Sequence, residues 1–414
     1  MVGATWTDET ALARVADELS LEVIAEVLDG GSSARVYRAR RSDGSEVAVK
    51  VLVEQPGVVD GHDLSSFQGK LTQIERIRAH APALAARYTP VLDSLDGDGW
   101  AAHTTLWYDS VDAAACLRDG AGEDRDGVGT FFGQFMAILA GLFVDGYGAG
   151  SSPTPAGHLL TVNVGRFLRR FGMLERALPA ELVARDELVV NGVPCRSPRA
   201  LLAQIVAGDG PQVGHMAPPR LMFCAHGDAN TRNLLVGAPV DGAVDFQIID
   251  PRGSCDPWDP VYDLAKILFS LSVWDPALRL GFTVQAGRRR GPGSYDVGFR
   301  RSTYDGYRAA IHGFLPFLDD HPGIAALLGG DEHWRDRLLL THDMHVLAEA
   351  PCRLSDPKPK FDCLGEPSSP QQLSIGHYLL GTLLVNDLVQ QLSTTGTIDA
   401  DRHLGLLTGD LPVG

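Results

Sequence analysis

Two apolar runs, Leu221-Met222-Phe223-Cys224 and Val244 to Ile249, each lead into a polar loop, and these loops constrain this 414-residue chain more than any other feature. The first reads Ala225-His226-Gly227-Asp228-Ala229-Asn230-Thr231-Arg232-Asn233, and the second Ile248-Ile249-Asp250-Pro251-Arg252-Gly253. Short apolar runs bounded by turn residues read as strands, so Asp228, Asn233 and Asp250 stand at one sheet edge. A carboxylate that accepts a hydroxyl proton, with an Asn and a second Asp to hold magnesium on a triphosphate, is the minimum equipment for phosphoryl transfer.

The length suits two or three subdomains, and 44% hydrophobic residues suffice to fill them. Lys+Arg 36 against Asp+Glu 52 leaves a net charge of −16, which argues against general attraction to nucleic acid or anionic membrane. The same balance suits a cationic acceptor. Six scattered cysteines (Cys116, Cys195, Cys224, Cys255, Cys352 and Cys363) lack the close spacing of zinc or redox pairs and read as reduced thiols. Thr7, Asp8 and Glu9 before Ala11-Leu12-Ala13 look like a capped helix rather than an export signal. The runs Phe131 to Val144 and Tyr378 to Val385 are shorter than a membrane span, so the expected location is the cytoplasm.

From the N-terminus, Leu21 to Leu28, Arg35 to Arg40 and Glu46 to Val53 alternate apolar and polar residues and predict an antiparallel meander. In the first turn, Gly30 and Gly31 let backbone amides approach a ligand closely, and Ser32 and Ser33 add hydroxyls; the plainer reading is a hairpin turn. Lys50 sits mid-strand in Val47-Ala48-Val49-Lys50-Val51, where an unpaired ammonium is costly, so it requires an anion. Leu64, Phe67, Leu71, Ile74 and Ile77 repeat at helical spacing, and Glu75 on that helix is either the partner of Lys50 or a solvated carboxylate.

Trp100 to Tyr108 predicts a further strand, and the change of character after it places a lobe boundary near residue 110. Gly146 to Gly157 reads as a flexible connection and His158 to about Ala207 as one helical insertion. Asp259-Pro260 is a start signal for a helix through Leu271. Arg288, Arg289, Arg290, Arg300 and Arg301 surround a Gly-Pro-Gly turn and read as a solvated loop or a lid that meets an anion. His342 and His345 share a helix face but have no third ligand, and Leu373 to Leu392 is the final strong helix.

The order of these signals resembles the aminoglycoside phosphotransferase and choline kinase-like branch of the protein-kinase-like fold. HGDANTRN matches that family's His-Gly-Asp-x-x-x-x-Asn, IIDPRG takes the place of its metal motif, and DPWDPVYDLAK looks like its Asp-Pro-x-x-Asp-Leu-Ala helix, over roughly residues 22 to 275. The Gly-rich turn departs from Gly-x-Gly, and Asp250 lies 22 residues beyond Asp228, a spacing stretched by the variable turn Gly237 to Ala243. The resemblance implies a bilobal α+β fold. Residues 1–110 would form a small antiparallel-sheet N-lobe, and residues 111–414 a larger, mainly helical C-lobe with catalytic loop 225–233, metal loop 248–253 and an insertion at about 146–220.

It also implies ATP and Mg2+. Lys50, fixed by Glu75, would hold the α- and β-phosphates; Asn233 and Asp250 would hold the metal; Asp228 would accept or orient the acceptor's hydroxyl proton. Adenine would lie near Trp107 and Tyr108, while His226 and Asp263 would brace the loops. Arg252 has two readings: a loop arginine paired with Asp256 or Asp259, or a contact to substrate or γ-phosphate. The implied activity is phosphorylation of a small-molecule hydroxyl, on an antibiotic, aminocyclitol, sugar or choline-like alcohol, with antibiotic resistance and metabolism equally open. The alternative is a nucleotide-binding regulatory pseudokinase. Protein phosphorylation fits less well, because no Ala-Pro-Glu segment follows Asp250.

Overall fold

The computed structural model describes residues 6–27, 34–54, 63–119, 126–211, 213–223, 225–238, 244–287, 291–301, 305–356 and 360–408. Gly30, Gly31, Ser32, Ser33 and Arg288 to Arg290 therefore lie outside the described residues.

Helix α1, Asp8–Leu19, begins at Thr7, whose side chain accepts the Thr10 amide and so satisfies one of the donors that a helix start leaves open. Strands β1 (Glu22–Val27), β2 (Arg35–Arg40) and β3 (Glu46–Val53) follow as the alternating pattern predicts. After helix α2, Leu64–His80, come β4 (Val91–Gly97) and β5 (Trp100–Leu106). The five strands form one antiparallel sheet in the order β1-β2-β3-β5-β4, in which Lys50 lies opposite Val36 on one side and His103 on the other. One sheet face packs Val47, Val49 and Val51 against Ala11 and Val15 of α1. The other packs Leu52 and Ala101 against Phe67 of α2.

The remainder is mainly helical and encloses a single large core cluster. Its centre is the pair of long helices Trp334–Ser355 and Pro370–Thr395, against which Pro260–Phe269 and Gly165–Ala177 pack. The helix of residues Gly127–Gly148, 22 residues long, has the length and apolar composition of a membrane span, contrary to the expectation from its sequence. One face of it lies in the core: Phe131, Phe135, Leu139, Phe143 and Tyr147 are at most 3% exposed inside that cluster.

Other expectations change as well. The Gly146 to Gly157 connection contains Ser151–Pro153, a strand paired with Arg220–Met222. The insertion is not wholly helical. Glu187–Val190 and Val193–Arg196 form a hairpin whose turn residues Asn191 and Gly192 have φ of 48° and 84°, as an Asn-Gly turn between matched strands demands. Asn191 then docks the hairpin by exchanging two hydrogen bonds with the Val297 backbone, on a second hairpin made of Phe282–Ala286 and Ser294–Phe299. A further helix, Ala400–Thr408, follows the one expected to be last. The five described cysteines are free thiols.

Candidate functional site

The loop of residues 225–233 is a short polar turn held from behind. Asn230 caps the single turn Thr231–Asn233 by accepting the amides of Arg232 and Asn233, and Thr231 bonds Ser270. Asp263, fully buried in the first turn of Pro260–Phe269, accepts the amides of His226 at 2.8 Å and Gly227 at 2.7 Å and the Tyr147 hydroxyl at 2.9 Å. His226 is also buried. Its Nε2 meets the Ile249 carbonyl at 3.0 Å and its Nδ1 accepts the Asp228 amide at 3.1 Å, which ties this loop to the Asp250 loop. His226 and Asp263 thus sit behind the reacting edge and hold the backbone.

Asp228 opens onto the cleft, with 37% of its side chain exposed. Lys266 stands 3.1 Å from Oδ1, and Asn233 donates its amide nitrogen to Oδ2 at 3.2 Å. Burial pushes the Asp228 carboxyl up, but the charges of Lys266 and His226 outweigh it and hold the group ionised, ready to accept a proton or hydrogen bond. With its nitrogen committed to Asp228, Asn233 has its carbonyl oxygen available for a cation.

Lys50 meets its anion, and it is not Glu75. Lys50 Nζ lies 2.6 Å from Asp250 Oδ1, and Lys70 of α2 contacts the same oxygen. Burial pushes the Asp250 carboxyl up, and the two ammoniums hold it well below the usual carboxylate range. Glu75 points to solvent and pairs with Arg78 on its own helix. The reason is helical phase: the buried face of α2 carries Phe67, Lys70, Gln73, Ile74 and Ile77, and Glu75 falls outside it. Asp250 itself has φ of 59°, a left-handed backbone uncommon outside glycine and typical of functional loops.

Gln73 was not legible as a site residue, yet it joins both loops. Its amide nitrogen donates to the Ala225 carbonyl at 2.7 Å, and its oxygen accepts the Gly253 amide at 2.7 Å and the Ser254 amide at 3.2 Å. This requires α2 to touch the Asp250 loop closely. A Cβ on Gly69 would lie 2.4 Å from the Gly253 carbonyl oxygen, so only glycine permits the approach.

Lys50, Lys70, Asp228, Asn233 and Asp250 all line one cleft of about 560 Å3. Its apolar end is lined by Val27, Val36, Ala48, Val91, Leu106 and Ile248, beside Trp107 and Tyr108. The Tyr108 hydroxyl donates to Asp245 at 2.8 Å, and Arg38 lies over the Trp107 ring. The opposite end holds Asp228, Lys266, Arg166, Arg252, Glu349 and Arg353. Arg252 pairs with neither Asp256 nor Asp259: it donates to the Tyr262 hydroxyl at 2.9 Å and lies over the Trp258 ring, while Asp259 pairs with buried Arg337 at 2.7 Å. His342 and His345 are buried, and His342 bonds Ser272 and Asp343. Among the described residues, no three His, Cys, Asp or Glu side chains converge on one point as in a protein-only metal centre, so a cation would share its ligands between Asn233, Asp250 and a bound phosphate.

No family model and no curated relative matches the chain. Solved structures are similar in outline. An aminoglycoside-3′-phosphotransferase of type VIII is 19% identical, with 82% of this chain and 97% of that chain covered and a TM-score of 0.43. An amicoumacin kinase complexed with AMP-PNP, Ca2+ and its ligand is 10% identical, at 91% and 93% coverage and TM-score 0.44. A protein assigned as a fructosamine-3-kinase from Thermobifida fusca YX-ER1 is 16% identical, at 91% and 99% coverage and TM-score 0.42. In this chain an antiparallel sheet presents Lys50 to Asp250, and the mainly helical remainder presents Asp228 and Asn233 to the same cleft.

Proposed function

We propose that the protein transfers the γ-phosphoryl group of ATP to a hydroxyl of a small molecule. The observation that carries this reading is the convergence of Lys50, Asp250, Asn233 and Asp228 on one cleft whose other end is apolar and fits an adenine. Asp228 orients the acceptor hydroxyl and takes its proton as the new P–O bond forms and the bond from the γ-phosphorus to the bridging oxygen breaks, releasing ADP. Lys266, 3.1 Å from Asp228, keeps that carboxylate ionised and supplies positive charge beside the transferred group. Lys50 and Lys70 bind phosphate oxygens. Asn233 and Asp250 would hold magnesium, which would neutralise triphosphate charge.

The test is Asp228→Asn, which preserves shape and removes the base. Acceptor-dependent ADP release should fall by about a hundredfold or more, in line with general-base contributions, while AMP-PNP still raises the melting temperature. Unchanged turnover would defeat the assignment.

A second reading, a nucleotide-sensing pseudokinase, is favoured by one observation: Asp250 is gripped by two lysines at once. Lys70→Met separates the two. If Lys70 binds phosphate, its loss weakens Mg·ATP about tenfold, the worth of one charge-assisted contact. If Lys70 instead blocks the metal position, Mg·ATP binds more tightly in the variant.

A further inference from the structure

The acceptor end of the cleft is basic, although the chain as a whole is acidic. Two groups of charges line it, and they differ in how they are compensated. Arg118, Arg232 and Arg279 interlock with Asp112 and Asp275, at distances of 2.7–3.6 Å, in a network that accounts for each guanidinium. That wall is structural.

The wall beside Asp228 is different. Arg166 donates to the Tyr262 hydroxyl at 3.1 Å, and Arg252 donates to the same oxygen at 2.9 Å. Two guanidinium groups therefore share one phenol oxygen, and among the described residues neither has a carboxylate within ion-pair distance. Buried Arg166 Nε has no hydrogen-bond partner in the protein. The nearby acids are already engaged. Asp228 is paired with Lys266, and Glu349 holds Arg353 at 2.7 Å and the Trp274 indole at 2.9 Å. The positive field is felt by the neighbours: burial first, then Lys266 and Arg166, push His345 far below its ordinary range, and Arg252 and Arg166 draw the Tyr262 phenol down against the effect of burial. Burial works against the Arg166 charge, and the Tyr262 hydroxyl, Asp228 and Glu349 together hold it on, but without a direct ion pair to a carboxylate. Guanidiniums with open donor positions in a partly desolvated wall gain from a ligand that supplies an anion.

We propose that Arg166 and Arg252 form an anion subsite beside the catalytic carboxylate, so that the acceptor is a hydroxyl compound carrying a carboxylate or phosphate group. The inference rests on the phosphotransferase reading for the word acceptor, but not for the anion site itself. Planar guanidiniums bind either oxyanion through paired hydrogen bonds, and Arg252, stacked on Trp258, is held in place to do so. Seated there, the anion leaves a neighbouring hydroxyl within reach of Asp228. The acidic overall charge, which alone suits a cationic acceptor, gives way to the local field.

The experiment uses the full chain with sugar acids and sugar phosphates of matched carbon number, set against the corresponding neutral polyols and amino sugars. Binding is read by calorimetry with Mg·AMP-PNP present, so that the nucleotide end is filled, and turnover by ADP release with ATP. The expected result is binding and turnover confined to anionic members. Arg252→Gln and Arg166→Gln should raise the acceptor KM about 10- to 100-fold and leave the ATP KM nearly unchanged. Which arm responds separates carboxylate from phosphate. Turnover of neutral or amino compounds only would overturn the anion subsite and leave the kinase reading intact. Anion binding that the two variants abolish, with no ADP release from any compound, would support the subsite and defeat the kinase reading. Absence of anion binding, or variants that weaken AMP-PNP instead of the acceptor, would overturn the inference.

Discussion

Replacing Asp263 by Asn tests whether Asp263 braces the loop of residues 225–233. The carboxylate is fully buried and accepts three hydrogen bonds: Oδ2 takes the His226 amide and the Tyr147 hydroxyl, and Oδ1 takes the Gly227 amide. An asparagine keeps one acceptor oxygen. Placed to serve His226 and Tyr147, it turns its NH2 toward the Gly227 N–H and leaves that donor unpaired, at about 1–3 kcal/mol. The other two bonds fall from charge-assisted to neutral, about 1 kcal/mol each. Relief of a buried charge offsets part of this, so the net loss is about 2–4 kcal/mol, a large share of an ordinary domain's stability. Urea unfolding should show it as a lower midpoint with an unchanged slope, and hydrogen exchange should show faster exchange at Gly227 than in the helix Pro260–Phe269. Tyr147→Phe removes one bond only and should lower stability by about 1 kcal/mol, and the double variant should lose less than the sum. An Asp263→Asn protein within about 0.5 kcal/mol of the parent, with protected loop amides, would refute the bracing role.

Two further outcomes follow from other contacts. His403 is buried between Asp343 at 3.1 Å and Asp387 at 2.9 Å; burial pushes its pKa down, but the carboxylates outweigh it and raise it to about 9. A raised folded-state pKa means the stabilisation is complete below pH 6.5, the unfolded value, and is lost as pH rises through about 9. Urea midpoints should therefore fall between those values by about 3 kcal/mol of stability, and His403→Gln should flatten that window. Gly227 has φ of 77°, and an added Cβ would lie 2.8 Å from Arg252 Cβ. Gly227→Ala should cost about 1–3 kcal/mol in unfolding free energy and displace Arg252, raising the acceptor KM more than the ATP KM in steady-state assays.

Much of the architecture is legible in residues 22 to 53 and 221 to 271, because there local pattern and global fold agree. Strand alternation names β1 to β3, and Asp259-Pro260 names the start of the helix that carries Asp263. The hairpin at Glu187–Arg196 was legible too, in the Asn191-Gly192 pair between apolar residues, but helical periodicity on either side obscured it. β4 gave no such signal, since Val91–Gly97 is a half-exposed edge strand with two aspartates.

The sequence by itself determined the candidates for chemistry: Asp228, Asn233 and Asp250 are set by short loops at strand ends, where chain connectivity alone brings them near one another. It also required that Lys50, inside an apolar strand, find an anion. Only the tertiary structure decided which anion, because the choice depends on how α2 is rotated and how closely Gly69 lets it approach Gly253. That rotation turns Glu75 to solvent and brings Lys70 to Asp250 and Gln73 to both loops. The same holds for the acceptor wall. Arg166, on a helix, and Arg252, on a loop, are 86 residues apart in the chain and meet at Tyr262 through tertiary packing that no local pattern encodes. Net charge is a sum over the surface, whereas the field at Asp228 is set by the few charges that folding places within several ångströms of it.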